Sequence, residues 1–84
     1  HNKWGVFMEG ILEVVIKNLV DSKDEVSINE KTNDNKSICY EVKVARNDMG
    51  KVIGKQGKMA KSIRTIMKAI AGKEHKRVTI EFLD

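Results

Sequence analysis

The stretch "GKVIGKQGKMAKSIRTI", residues 50–66, decides the fold. Gly54 and Gly57 enclose Lys55 and Gln56, and an apolar, helix-spaced run lies on each side. Upstream, Met49, Val52 and Ile53 share one helical face, with Asn47 or Asp48 as its N-cap. Downstream, Met59, Ile63, Ile66, Met67 and Ile70 form the buried stripe of a longer helix. Lys58, Lys61, Thr65 and Lys68 form the opposite stripe, with Arg64 beside it. Gly72 stands where a glycine ends a helix. Two helices therefore meet at a corner made of glycine.

Outward from that corner, "EVSINEKTNDNKSICYEVKV" (residues 25–44) predicts a β-hairpin. Val26 and Ile28 alternate with polar residues, "KTNDNKS" is the turn, and Ile38, Tyr40, Val42 and Val44 line one face of the second strand. Cys39, Glu41 and Lys43 line its other face. Before the hairpin, "MEGILEVVIKNLV" repeats apolar residues at Met8, Ile11, Leu12, Val15, Ile16 and Leu19, a helix that the polar "DSKDE" ends. The last run, "KRVTIEFLD", sets Val78, Ile80 and Phe82 against Thr79 and Glu81, a strand.

The expected order is α-β-β-α-α-β. A connection through two helices favours parallel pairing of the strands it joins. The fold class is thus α+β: a three-stranded mixed sheet with three helices on one face. With 84 residues there is one domain, expected over 8–84, and residues 1–7 are expected to be an appended or disordered extension.

The single cysteine, Cys39, cannot form an internal disulfide, which fits a reducing, cytoplasmic setting. No run approaches the roughly 18 apolar residues of a membrane span. The net charge is +4, unevenly placed. Residues 46–77 carry ten cations against Asp48 and Glu74, whereas residues 1–45 carry six against eight carboxylates. A polyanionic partner answers that asymmetry, and so does a solvated helix face.

The glycine pair favours the first answer. Glycine permits positive φ and close approach of another backbone. The helix that follows offers free N–H groups and the positive end of its dipole to an anion. Lys55 lies within the loop, Lys51 and Lys58 flank it, and Gln56 can offer an amide. Val52, Ile53, Ala60 and Ile63 lie on either side, placed to floor a groove for bases. A G-x-x-G step alone is also satisfied by a tight turn chosen for geometry.

"VIGKQGKMAKSI" resembles the signature of the KH domain, whose G-x-x-G loop joins two helices, and the element order is that of its type II form. Residues 8–84 are similar throughout to the small bacterial KhpA family, most plainly in "DMGKVIGKQGK" and "KRVTIEFLD". Ala60 departs from the larger aliphatic residue of many KH domains, which bears on base preference. The resemblance implies single-stranded RNA binding, with the loop clamping about four nucleotides. Gly54, Lys55, Gln56 and Gly57 would hold phosphates, supported by Lys51, Lys58, Lys61 and Arg64. Val52, Ile53, Ala60 and Ile63 would touch bases. It further implies RNA-chaperone activity, partnership with a KhpB-type KH protein or a second copy, and a place in cell elongation and envelope homeostasis.

Other chemistry finds no footing in the sequence. Cys39 has no histidine or carboxylate constellation, and His1 and His75 are far apart, so neither a catalytic thiol, a metal site nor a cofactor is expected. His75 reads as a solvated loop residue, and Tyr40 and Phe82 as core rather than stacking platforms. A second function class stays open: a protein-interaction module in which surplus apolar residues of the first helix, such as Val14 and Val20, make the contact.

Overall fold

The computed structural model describes residues 3–34 and 36–83. Helix α1 spans Lys3–Lys17, a 3-10 turn spans Lys23–Glu25, β1 spans Ser27–Asn33 and β2 Ser37–Lys43. Helix α2 spans Arg46–Lys73 and β3 spans Arg77–Phe82. The strands lie in the order β1-β2-β3. β1 and β2 are antiparallel, with Ile28 opposite Val42, and β2 and β3 are parallel, with Tyr40 opposite Ile80. The mixed sheet is as expected; the helices are not. The two runs flanking the glycines are arms of one broken helix, so two helices stand where three were expected, in the order α-β-β-α-β.

The inner face of β2 carries Ile38, Tyr40 and Val42, fully buried against Met8, Leu12 and Ile16 of α1 and Ile63 and Met67 of α2. Period-two alternation on the strand and 3.6-residue periodicity on the helices thus meet in one core. On the outer face Lys31 sits 3.6 Å from Glu41 and 3.4 Å from Glu81. It sits where the β1–β2 register shifts between Glu30 and Thr32, a bulge.

Several boundaries differ from the sequence reading, each for a physical reason. Helix α1 begins five residues before Met8: Trp4 packs on the core, and the Lys76 ammonium lies 5.1 Å from its ring centre. Residues 3–7 form the start of α1; His1 and Asn2 lie outside the described residues. Leu19 falls beyond the end of α1, where the Lys23 ammonium reaches back 2.6 Å to the Lys17 carbonyl, and it is 37% exposed rather than core. Val20, expected at the surface, is buried instead. The strands run further into the hairpin loop than the seven-residue turn predicted.

On α2 the expected stripe holds except at Ile66: Met59 and Ile70 pack against the core beside the buried Ile63 and Met67. Ala60 and Ala71 are buried with Ile63 and Met67, whereas Ile66 is 45% exposed. Neither Asn47 nor Asp48 caps α2; the N-cap position is Ala45. Gly72 stays inside the helix, and the positive φ falls to His75, at 58°. His75 N–H donates to the Gly72 carbonyl and Lys76 N–H to the Ala71 carbonyl, the paired bonds of a Schellman ending.

Candidate nucleic-acid interface

Helix α2 is interrupted at the predicted corner. Gly54 has φ −65° and ψ 177°, an extended backbone, and Lys55, Gln56 and Gly57 follow at φ 52°, 64° and 69°. Three successive left-handed residues, two of them not glycine, are a strained arrangement. The change of hand from Gly57 to Lys58 turns neighbouring N–H groups toward one side, a concavity suited to an anion, at the start of the second arm.

The two glycines differ in what requires them. Gly57 is required by its positive φ. Gly54 is not: its φ suits any residue, and a Cβ built on it meets nothing within 4 Å. No contact within the described chain accounts for the missing side chain there.

Around the loop, Lys55, Gln56, Lys58 and Lys61 are exposed. Lys51 is held by Asp21, 3.2 Å from its carboxylate, beside the loop. An open groove of about 600 Å³ is lined by Leu19, Lys51, Gly54, Lys55, Lys58, Met59 and Ser62. Leu19, Met59 and Ser62 were not expected at the site. The sequence pattern places Leu19 and Met59 in buried helical stripes, and Ser62 carries no signal.

The apolar positions expected to touch bases separate. Ile53 is 43% exposed, but Val52, Ala60 and Ile63 are exposed by only 0, 4 and 1%. They belong to the core that sets the angle between the arms and have no surface to offer, a correction to the expected groove floor. Arg64 lies away from the loop. Its Nε donates to the Ile80 carbonyl at 3.1 Å, and its guanidinium carbon is 5.4 Å from the Phe82 ring centre. That contact marks the edge of β3 that faces away from β2.

Asp48 anchors the first arm from below. Buried, it accepts N–H bonds from Asp21 at 2.9 Å and Ser22 at 3.0 Å, and these hold its carboxyl below the usual carboxylate range. The α1–β1 connection, with Asp21 beside Lys51, is thereby fixed against the loop. Among the described residues no group of His, Cys, Asp or Glu could hold a metal ion. None of their helices is long and apolar enough to cross a membrane.

The family model for the KH domain of KhpA and KhpB matches residues 9–82. The RNA-binding protein KhpA of Clostridium acetobutylicum is 55% identical over 76 residues, 90% of this chain and 100% of that protein. KhpA of Caldanaerobacter subterraneus is 50% identical over the same shares, and KhpA of Chlamydia trachomatis 39% over 92% of this chain and 97% of that protein. No solved structure matches. With the broken helix, the mixed sheet and matches spanning nearly every described residue, the chain belongs to the KhpA/KhpB KH-domain family.

Proposed function

We propose that this chain is a non-catalytic single-stranded RNA-binding protein and an RNA chaperone of the cytoplasm, with the Gly54–Gly57 loop as its backbone clamp. The observation that carries the reading is the left-handed, lysine-bearing turn Lys55–Gly57, which follows Gly54 and opens onto the start of the second arm. A phosphodiester approaches there, taken by amides at the start of the second arm and by Lys55 and Lys58. Gln56 hydrogen-bonds the next phosphate or sugar. Bases rest on Ile53 and on the apolar walls beside the loop. The naming of the similar proteins as RNA-binding supports the ligand class.

The test is binding of an oligoribonucleotide by the chain and by the double variant Lys55→Asp, Gln56→Asp. The variant loses binding and keeps its circular dichroism. For about three phosphates, log K falls against log salt with a slope near −2. Unchanged affinity in a folded variant, or affinity indifferent to salt, refutes the clamp. A deoxy oligonucleotide run in parallel separates RNA from single-stranded DNA.

A second activity, association with another KH protein of the KhpB kind or with a second copy, has its own support. Val6, Phe7 and Val14 of α1 are more than half exposed, on the surface of the helix away from the core. Light scattering with and without RNA reads that association directly.

A further inference from the structure

Beyond the loop, the cations of α2 follow a track. Lys61, Arg64 and Lys68 recur at three- and four-residue spacing, so they share one side of the second arm. The contact of Arg64 with Ile80 and Phe82 shows that this side runs along the free edge of β3. Lys68 lies eleven residues past Gly57, about 16 Å along a helix rising 1.5 Å per residue. Because β3 runs back toward the loop, its first residues meet the far end of the helix. There Lys68, Lys76, Arg77, Val78 and Thr79 line a depression of about 370 Å³.

Helix capping does not explain these cations. The Ala71 and Gly72 carbonyls at the end of α2 accept backbone N–H groups of Glu74, His75 and Lys76. Lys68 and Arg77 are not balanced locally either: among the described residues neither has a carboxylate within ion-pair distance. Lys76 is drawn to this end of the molecule by Trp4. Three cations around one concavity, in line with a basic helix side that begins at the loop, are complementary to a continuing polyanion.

We propose that the depression between the end of α2 and the start of β3 is a second phosphate site, with Lys68 and Arg77 as its contacts. A strand longer than the loop's four nucleotides passes along the outer edge of β3 into it. The inference rests on the loop being the first contact. It adds a longer footprint, and so a reason for this chain to hold extended strands better than short ones.

The experiment compares tetrauridylate with decauridylate, using backbone amide NMR shifts and salt-dependent affinity. Both oligonucleotides shift the amides of residues 54–58, and decauridylate alone also shifts those of 68 and 76–79. The variant Lys68→Gln, Arg77→Gln keeps the loop shifts with either ligand. Its salt slope for decauridylate is shallower by about 1.4, the contribution of two phosphates on a single strand. If decauridylate moves residues 54–58 but leaves 68 and 76–79 unmoved, or the variant keeps the full slope, the second site is overturned and the loop reading stands. If residues 54–58 stay unmoved with both ligands, the loop reading itself falls.

Discussion

The Tyr40 hydroxyl donates to the Gly5 carbonyl at 2.9 Å, inside the protein. This one bond ties the central strand to the first turn of α1. Burial pushes the phenol pKa up, so it stays a donor across the working pH range. Tyr40→Phe removes the bond and keeps the ring. Stability falls by about 1 kcal/mol in urea titration, and the amides of residues 4–8 exchange faster with solvent. An unchanged midpoint would mean that packing of Trp4 alone holds the helix start.

The glycines of the loop separate folding from binding. Gly57→Ala forces a side chain into a left-handed position and costs about 1 kcal/mol of stability. Gly54→Ala meets neither strain nor contact, so its denaturation midpoint stays close to the parent's. RNA affinity falls in both, because the added methyl at residue 54 stands where the strand comes near. A Gly54→Ala protein binding RNA as well as the parent would move the strand elsewhere.

Asp48 sets the acid limit. Backbone N–H groups of Asp21 and Ser22 favour its charged form, so its folded pKa lies below its unfolded one. The stabilisation is complete above the usual carboxylate pKa of about 4 and is lost as pH falls further. Asp34, lowered by N–H bonds from Lys36 and Ser37, adds to the same loss. Asp48→Asn is less stable at pH 7 and has a flatter stability curve below pH 4. A curve as steep as the parent's would assign the acid response to other groups.

His75 occupies the left-handed position of the α2 ending. His75→Gly relieves that conformation and raises stability by about 1 kcal/mol, with RNA binding unchanged. A drop in thermal midpoint would show that the imidazole contributes more than its backbone costs.

The sheet was legible in the sequence because period-two alternation needs no partner to be seen: Ile38, Tyr40 and Val42 declare their face. The corner was legible because glycine is rarely placed twice within four residues of two amphipathic runs. Three features were not. Trp4 joins the fold through Lys76, and no local pattern links residues 72 positions apart. The burial of Ala60 and Ala71 with Ile66 left exposed depends on which side of α2 meets the core, which a hydrophobicity ranking inverts. Asp48 has the residue type and position of a helix cap, yet its acceptors are used by Asp21 and Ser22, 27 and 26 residues away in sequence. Among the expected site residues, Lys55, Lys58 and Lys61 are exposed, as the charge density there leads one to expect. The division of Val52, Ala60 and Ile63 from Ile53 depends on which side of each arm meets the sheet.

The left-handed turn at residues 55–57 is part of the fold of α2 itself. Its conformational entropy has been surrendered at folding, so a strand that arrives finds a template already set. Capture should then run at an encounter-limited pace quickened by the surrounding cations, while differences between RNA sequences show up in how long each one stays.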